Sequence, residues 1–383
     1  MKTAIVILNW NGKHFLEKFL PGLTDSISGG TEQTEIIVAD NGSTDGSLEF
    51  LSGTFPSIHT ITFDRNYGFT GGYNRALRQI DAQYYILLNS DIEVTDGWLE
   101  PLVEWMDTHP FCGACAPKLL SYADREMFEY AGAAGGMIDR YGYPFCKGRI
   151  LKMTEKDYGQ YDEPEDVLWA SGACLMVRAD IYRKTGGLDE RFFAHQEEID
   201  LCWRIQLEGY NVTIIPESKV FHVGGGTLQN GSPWKLMLNY RNNLLMLSNN
   251  LAKTYSLEYF NDKYMEPEGA LLDGDETEAE AVARKAAAIG LKRAGRTIFI
   301  RKTLDGLSAA VYLVTFRWKY FKAVLDAHRE YKALAKAPDK NEIIGFLLDK
   351  GKISGVTGIY RKWIIPRALL HGKDIFKRIR QEI

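Results

Sequence analysis

The stretch Tyr84-Tyr85-Ile86-Leu87-Leu88-Asn89-Ser90-Asp91 decides the predicted fold, because an uninterrupted apolar run stops abruptly at an amide, a hydroxyl and a carboxylate. Aromatic and branched aliphatic residues without alternation are typical of a strand that is covered on both faces. In open α/β sheets, ligands bind just beyond the carboxyl ends of such strands. The alternative is that residues 89–91 only begin a turn, which is a common role of these residue types.

Three earlier segments have the same order of apolar strand, polar loop and helix. The strands are predicted at residues 5–8, 35–39 and 59–63, with polar loops at residues 9–12, 40–45 and 64–69. Strands that alternate with helices predict a parallel sheet with right-handed crossovers, so the loops should share one edge and one ligand crevice. The loops lack both the glycine-rich Rossmann spacing and the Walker lysine motif, which argues against dehydrogenases and P-loop enzymes.

The composition predicts an ordinary globular protein with more than one domain. The chain has 383 residues, of which 45% are hydrophobic and 25% charged, and this length exceeds one typical domain. The cysteines do not have the spacing of a disulfide framework, so we expect reduced thiols in a cytosolic protein. Because the sequence has no basic leader and no run of about eighteen apolar residues, we expect neither export nor a membrane span.

The net charge of -4 hides a strong asymmetry along the chain. Residues 1–283 contain 23 Lys and Arg against 42 Asp and Glu, whereas residues 284–383 contain 23 against 8. The predicted organisation is therefore a catalytic domain, a flexible acidic linker and a basic, mainly helical C-terminal region. Their predicted bounds are 1–265, 266–283 and 284–383.

Several motifs together resemble family 2 glycosyltransferases of the GT-A fold, in the bacterial branch that resembles rhamnosyltransferases. They are Asn9-Trp10-Asn11, Val38-Ala39-Asp40-Asn41-Gly42-Ser43-Thr44-Asp45, Asn66-Tyr67-Gly68-Phe69 and Asn89-Ser90-Asp91. The resemblance covers about residues 3–250 and rests on the order and spacing of the motifs. It implies a Rossmann-like, mainly parallel sheet flanked by helices. It also implies inverting transfer of a sugar, with rhamnose as first choice, from a UDP- or dTDP-sugar to a glycan or lipid-linked acceptor.

The resemblance implies a donor pocket built largely from the first three polar loops. Asp40 corresponds to the family aspartate that reads the pyrimidine base, and Arg241 to an arginine near the diphosphate. For Asp40 the alternative is a turn or a helix cap. The expected donor-binding residues are Asn9, Asn11, Asp40, Asn41, Arg65, Asn66, Gly71, Asn74, Asn89 and Arg241.

The resemblance also implies a divalent metal ion, Mg²⁺ or Mn²⁺. Asp91 matches the last carboxylate of the family's Asp-x-Asp motif, and Asn89 replaces the first. A cation held by Asp91 would neutralise the leaving diphosphate. His222, which follows a predicted strand at residues 212–216, matches the family histidine that completes the metal site or contacts the diphosphate.

A later acidic segment, residues 196–204, resembles the catalytic motif of the same family, with Glu197 and Glu198 in place of the usual glutamate and aspartate pair. An inverting transfer needs a carboxylate that takes the proton of the attacking hydroxyl. We assign this base to Glu198, with Asp200 as the competing assignment. The alternative is a solvated helix start whose carboxylates favour the helix dipole.

Residues 167–178 resemble the segment that passes beneath the acceptor. The resemblance implies that Trp169, Gly172 and Ala173 contact the acceptor sugar, together with Glu197, since an aromatic ring beside small residues suits the face of a sugar. A buried Trp169 in the core of the domain is the alternative.

The basic C-terminal region alternates apolar and cationic residues, for example in residues 304–322 and 359–367. Basic amphipathic helices with Trp and Tyr suit an anionic membrane surface, which predicts a cytoplasmic protein that binds the inner face of the plasma membrane. The alternative is a helical subdomain packed on the catalytic domain, with a homodimer surface as one use of it. We expect no nucleic acid partner.

Two other functions share part of this pattern. A nucleotidyltransferase acting on sugar phosphates should have a glycine-rich loop with Lys or Arg after the first strand, and residues 9–12 lack it. A non-catalytic carbohydrate-binding relative would retain Trp169 but lose the acidic residues, which are present. The sequence therefore predicts a family 2 hexosyltransferase that extends a bacterial cell-envelope polysaccharide.

Overall fold

The computed structural model describes residues 1–28, 33–224, 231–264, 276–350, 353 and 355–382. Its strands are β1 (Thr3–Asn9), β2 (Thr34–Asp40), β3 (His59–Thr62), β4 (Tyr84–Leu88), β5 (Ile92–Val94), β6 (Cys112–Ser121), β7 (Gly136–Asp139), β8 (Pro144–Cys146), β9 (Arg149–Ile150), β10 (Met153–Thr154), β11 (Glu165–Asp166), β12 (Cys174–Arg178), β13 (Asn211–His222) and β14 (Ile359–Tyr360).

The helices alternate with the strands in the first part of the chain and dominate after β13. They are α1 (Lys13–Ile27), α2 (Ser47–Thr54), α3 (Gly68–Leu77), α4 (Glu100–Thr108), α5 (Ala179–Lys184), α6 (Glu197–Leu207), α7 (Pro233–Tyr264), α8 (Glu276–Val314), α9 (Trp318–Leu334), α10 (Lys340–Lys350), α11 (Ile364–His371) and α12 (Asp374–Arg380).

The main sheet has the strand order β11-β13-β6-β12-β4-β1-β2-β3, and β5 pairs with the far end of β13. Strands β3, β2, β1 and β4 are parallel, as the repeated strand and helix pattern predicts. Strand β12 is inserted antiparallel between β4 and β6, so the sheet is mixed beyond β4. The predicted α/β fold class with a helical C-terminal region is confirmed.

Strand β4 lies in the middle of the sheet and is buried on both faces. Tyr85 and Leu87 pack into one hydrophobic core, whereas Tyr84, Ile86 and Leu88 pack into the other. Because successive side chains of a strand point to opposite faces, a strand between two helix layers needs apolar residues at every position. This is the physical reason for the unbroken apolar run.

Strand β13 is longer than the predicted strand at residues 212–216. Its register against β6 shifts between Ile215 and Lys219, and Pro216 within this interval has no N–H to donate to the ladder. The strand then continues to His222, where it pairs with β5 and where Val223 N donates to the carbonyl oxygen of Asp91 at 3.1 Å. The glycines at 225 and 226, which follow His222, lie outside the described residues.

The C-terminal region is attached to the preceding α/β part of the chain by more than one element. Strand β14 adds to a second, small sheet in the order β10-β9-β8-β7-β14, and Ile364 N donates to the carboxylate of Asp139 at 3.0 Å. The predicted linker is only partly placed: residues 266–275 lie outside the described residues, and residues 276–283 belong to α8, so the prediction of a linker there is wrong. Within this segment Ala283 is fully buried in the hydrophobic core and Val282 packs against that core, which stabilises a helix.

All five cysteines are buried as free thiols. Within the described parts of the chain, no helix combines the length and the apolar character that crossing a membrane requires.

Two glycines of α8 provide a test of how closely α7 and α8 pack. A Cβ on Gly290 would lie 1.9 Å from Ser256 Oγ and 2.7 Å from the Ala252 carbonyl oxygen, whereas a Cβ on Gly295 meets no described atom within 4 Å. We expect Gly290→Ala to lower the free energy of unfolding by about 1–3 kcal/mol through overpacking. Gly295→Ala should raise it by up to about 1 kcal/mol through helix propensity.

Urea denaturation of the two variants and the wild type measures both changes, with Gly295→Ala as the matched control. Equal stability of the two variants would contradict the close contact between α7 and α8.

Candidate active site

A cavity of about 250 Å³ lies at the carboxyl ends of the central parallel strands, where the polar loops were predicted to meet. The structure brings ten of the predicted site residues to this cavity. They are Asn11, Asn41, Asn66, Asn89, Asp91, Gly172, Ala173, Glu197, Glu198 and His222.

A larger cavity of about 490 Å³ lies elsewhere, between residues 185–191 and residues 336–339. Its guanidinium groups are already paired, since Arg191 contacts Asp189 and Arg204 contacts Asp200. We therefore place the candidate site in the smaller cavity, which contains carboxylates that form no ion pair with a Lys or Arg in the described part of the chain.

His222 lies between two carboxylates at one end of the site. Its Nε2 is 3.2 Å from Asp91 Oδ1, and its Nδ1 is 3.3 Å from Glu129 Oε1. Burial alone would lower the pKa of His222, but the two carboxylates raise it to about 10. Burial opposes the ionisation of Asp91 too, yet the hydrogen bond and the charge of His222 hold the pKa of Asp91 below its ordinary value.

The residue types of Asp91 and His222 fit a divalent cation, which would bind the imidazole after it releases the proton that its raised pKa retains. A carboxylate oxygen and an imidazole nitrogen from different strand ends meet at the cavity, and a second carboxylate, Glu129, lies behind the imidazole as in many metal-binding histidines. Over the described residues, no group of three or more acidic, His or Cys side chains could hold a metal ion by itself. Sequence reasoning missed Glu129, because the sequence motifs carry no signal for the contact with His222.

The loops after β1 and β2 hold each other in place. Asn9 Nδ2 donates to Asp40 Oδ2 at 3.0 Å, and Ser43 N donates to Asp40 Oδ1 at 2.9 Å. Asp40 and Asn9 are fully buried and do not line the cavity. The turn-forming role, which was the alternative for Asp40, is therefore present, and the cavity wall is formed instead by Asn11, whose Oδ1 accepts from Thr44 N at 2.8 Å.

Asn41 joins the second and third polar loops. Its Nδ2 donates to Asn66 Oδ1 and to the Gly68 carbonyl oxygen, both at 3.0 Å, and its Oδ1 accepts from Tyr67 N at 3.0 Å. Both Asn41 and Asn66 line the cavity. The amide groups that were predicted to bind the nucleotide thus also fix the wall of the site.

Besides Asn9 and Asp40, three more predicted donor contacts are not at the cavity. Asn74 is buried, where its amide donates to the Leu188 carbonyl oxygen at 2.7 Å, because α3 begins at Gly68 and turns this residue toward the core. Gly71 lies against Tyr67 and Arg75 on the side of α3 away from the cavity. Arg65 is exposed, with its guanidinium 4.9 Å from the Tyr67 ring.

Arg241 does not reach the cavity either. Its guanidinium donates to Glu330 at 2.7 Å and to the Phe192 carbonyl oxygen at 2.8 Å. The α7 helix directs this side chain between α9 and the segment before α6, so the prediction of a diphosphate contact is not supported.

Asp200 and Trp169 also have structural roles. Asp200 is fully buried and accepts from Arg204 at 2.8 Å and from Asn249 at 2.8 Å, which leaves Glu198 as the better candidate for the base. The Trp169 ring lies directly against Gly136, and its Nε1 donates to the Met137 carbonyl oxygen at 3.2 Å. The core position, the alternative for Trp169, is the observed one.

Glu197 and Glu198 form the first turn of α6, and both line the cavity. Burial raises the pKa of Glu198 to about 7. Burial, with the nearby charge of Glu198, raises the pKa of Glu197 well above its ordinary value. The Oε2 atom of each side chain is buried and has no hydrogen-bond partner among the described residues.

Residues 4–186 match the family model described as Glycosyl transferase family 2. These residues form a family 2 glycosyltransferase domain. The N-acetylglucosaminyl-diphospho-decaprenol L-rhamnosyltransferase of Mycobacterium tuberculosis is 28% identical over 235 residues, which cover 57% of this chain and 75% of that protein. The rhamnosyltransferase WbbL of Escherichia coli is 22% identical over 221 residues, which cover 55% and 80%.

The solved structures show the same fold. A crystal structure of GalNAc-T7 with UDP, GalNAc and Mn²⁺ aligns with a TM-score of 0.50 at 18% identity, over 75% of this chain and 54% of that one. The glycosyltransferase therefore has the GT-A architecture that the sequence predicts. The residues matched by the family model include Asp91, whereas Glu198 and His222 follow it in the chain.

The raised pKa of Glu198 makes the stability of the glycosyltransferase depend on pH. Between the ordinary value of 4.5 and about 7, the folded protein retains a proton that the unfolded chain has released. The free energy of unfolding therefore falls as pH rises through this window. We expect Glu198→Gln, which cannot ionise, to raise the melting temperature at pH 8 and to change it little at pH 5.

Thermal unfolding at the two pH values tests this prediction. Glu104→Gln, an exposed substitution on α4, is the matched control and should have no pH-dependent effect. A shift of the Glu198→Gln variant that is the same at both pH values would show that burial of the charge is not its cause.

Proposed function

We propose that the protein is an inverting, metal-assisted glycosyltransferase that extends a bacterial cell-surface polysaccharide. The donor is a UDP- or dTDP-sugar, and the acceptor is a hydroxyl of a glycan or of a lipid-linked sugar. One observation carries the proposal: Glu198 lines the same cavity as Asp91 and His222, so a base and a diphosphate-binding end meet in one space. The names of the two relatives support rhamnose as the sugar.

The donor end is proposed to comprise Asn11, Asn41 and Asn66 on the nucleotide side, with Asp91 and His222 at the diphosphate. A Mg²⁺ or Mn²⁺ ion held by Asp91 and His222 would neutralise the charge that develops on the leaving diphosphate. Asp91 is suited to this role because its lowered pKa keeps it ionised. Glu129, next to His222 Nδ1, holds the imidazole with Nε2 toward Asp91.

Glu198 is proposed to take the proton of the acceptor hydroxyl. As that oxygen forms its bond to the anomeric carbon, the bond from this carbon to the diphosphate oxygen breaks on the opposite face, and the configuration inverts. The proton passes to Glu198 and the electron pair leaves with the diphosphate. A pKa of about 7 suits a general base that works near neutral pH.

Release of nucleoside diphosphate from a panel of UDP- and dTDP-sugars, with Mg²⁺ or Mn²⁺, tests the donor and the base together. We expect Glu198→Gln to lose about 10²–10⁴-fold in transfer rate, as the loss of a general base does, while it still binds donor. Asp91→Asn should lose metal-dependent donor affinity in calorimetry, because it removes the ionised oxygen.

Glu104→Gln is again the matched control and should transfer at the wild-type rate. Undiminished transfer by Glu198→Gln would contradict the assignment of Glu198 as the base. Unchanged donor affinity of Asp91→Asn in the presence of metal would refute the assignment of Asp91 as a metal ligand. Retention of the anomeric configuration, read by NMR of the product, would exclude inversion.

We also propose that the tip of the helical hairpin formed by α8 and α9 binds an anionic membrane surface on its cytoplasmic side. Val314, Phe316 and Trp318 are 71%, 78% and 59% exposed at this tip. Exposed Arg317 and Lys319 lie among them, and residues 306–325 contain no Asp or Glu. An apolar tip with basic residues matches the interface of anionic lipids in both hydrophobicity and charge.

The tip is connected to the active site through short contacts. Tyr320 OH donates to the Gly231 carbonyl oxygen at 2.7 Å, and the Trp234 ring is 6.4 Å from the ring of Phe193, which lines the cavity. A docked hairpin would therefore hold the cavity near the lipid surface. This supports a lipid-linked acceptor.

Flotation with vesicles of neutral and anionic lipid tests the docking. We expect wild type to float with anionic vesicles, and the double variant Phe316→Ser, Trp318→Ser to float at least about tenfold less, since two aromatic side chains no longer enter the interface. Phe299→Ser is the matched control, because Phe299 is 71% exposed on α8 away from the tip.

Equal flotation of the double variant and the wild type would overturn the docking proposal. A variant that floats normally but loses concentration-dependent self-association in light scattering would instead assign the tip to a homodimer.

A further inference from the structure

The loop that joins the 3-10 helix Glu190–Phe192 to α6 has an unusual backbone. Phe193, His195 and Gln196 have φ values of 62°, 74° and 67°. Residues with a side chain seldom adopt this left-handed region, and such strain persists where surrounding contacts impose it, often at functional sites. Three residues with positive φ lie within this one loop of four residues, so specific contacts must hold its backbone.

Helix α7 supplies the contacts that impose this backbone. The side-chain amide of Asn242 lies within hydrogen-bond distance of the carbonyl oxygens of Phe192, Ala194 and His195, at 3.0, 2.8 and 2.7 Å. Asn243 donates to Gln196 Oε1 at 3.1 Å. Because Asn242 and Asn243 are fully buried, their amides have no competing bonds with bulk water.

The loop presents the His195 imidazole to the cavity beside the two glutamates. The Nε2 atom of His195 is buried and has no hydrogen-bond partner in the described part of the chain, and the same holds for Oε2 of Glu197 and of Glu198. Buried polar atoms are nearly always paired, so unpaired atoms on His195, Glu197 and Glu198, which line one cavity, indicate a ligand that brings its own polar groups.

Other residues of the cavity wall indicate which class of ligand fits the cavity. Aromatic rings of Trp10, Phe69 and Phe193 line the same space, and aromatic faces suit the C–H faces of a pyranose. Burial lowers the pKa of His195 to about 4, so its ring is neutral and each nitrogen either donates or accepts one hydrogen bond. Hydroxyl groups can satisfy either role.

We propose that His195 is an acceptor-binding residue whose Nε2 binds a hydroxyl of the acceptor sugar adjacent to the one that reacts. Glu197 binds the same part of the sugar, so the two side chains select which hydroxyl faces Glu198. The ligand class is therefore a sugar with two neighbouring hydroxyl groups. This inference rests on the proposed function, in which Glu198 is the base, and adds the residue that determines regiospecificity.

A site that binds a hydroxyl rejects the analogue that lacks it, because the buried polar group is then left unpaired. The acceptor for the test is the methyl glycoside that supports the fastest transfer by the wild-type protein. Its deoxy analogues, each lacking one hydroxyl beside the reacting one, are the probes. We expect one analogue to be at least about 100-fold poorer than the parent with wild type.

His195→Asn is the informative variant, since Asn tolerates the left-handed backbone while it removes the ring. We expect the acceptor KM to rise about tenfold or more, and to rise far more than the donor KM does. The discrimination against the deoxy analogue should fall to less than about fivefold. His195→Gly, which leaves a space the size of the ring, should regain acceptor affinity on addition of imidazole.

His59→Asn is the matched control, because His59 is exposed on β3; it should behave as wild type in every assay. An unchanged acceptor KM, or undiminished discrimination against every deoxy analogue, would overturn the role of His195. A fall in donor affinity together with kcat would show that the loop only supports the fold.

The outcome for the proposed function can be read separately. If wild type transfers no sugar from any donor, saturation-transfer NMR between the methyl glycosides and the two proteins, wild type and His195→Asn, still reports acceptor binding. Binding that is equal in both proteins would count against His195 alone, whereas binding lost in the variant would support it without any turnover.

Discussion

The structure depends on the parallel pairing of β1 with both β2 and β4. Asn9 is in register with Asp40, so β1 and β2 end at the same level, whereas β4 ends at Leu88, which is opposite Ile7. A parallel sheet buried on both faces leaves its polar groups only at the strand ends, which therefore converge on one edge. The walls of the candidate cavity start from this edge. The antiparallel strand β12 begins there, and β13, which is parallel to β6, ends there with His222.

The pKa values of Asp91 and Glu198, two carboxyl groups of this one cavity, are shifted in opposite directions. It opposes ionisation at Asp91 and at Glu198 alike, but only Asp91 has a partner, His222, that offsets the cost. Glu198 has no such partner among the described residues, and burial raises its pKa to about 7. Two carboxylates with separated pKa values are the usual basis for dividing roles within an active site. The electrostatic asymmetry thus follows from which side chains the fold places beside each acid.

The polar residues Arg241 and Asn242 of helix α7 support a loop of the cavity wall but do not line the cavity. Arg241 and Asn242 both bind the Phe192 carbonyl oxygen, and Asn242 also binds the loop that carries His195. The guanidinium group of Arg241 and the amide of Asn242 donate hydrogen bonds that hold a strained backbone. A motif that suggests phosphate binding in the sequence therefore supports, in this chain, the loop that carries His195 to the cavity.

The sequence by itself determined the α/β class, the parallel strands of its first part and ten of the residues at the cavity, because strand periodicity and the polar ends of strands are local properties. Residues such as Asp91, Glu198 and His222 could be assigned from their position in motifs. Only the tertiary structure decided that Glu129 lies behind His222, that Asn74 and Trp169 face the core, and that Asp200 is neutralised by Arg204. These features depend on contacts between residues far apart in the chain and on which face of an element meets the cavity. Neither property produces a local pattern in the sequence.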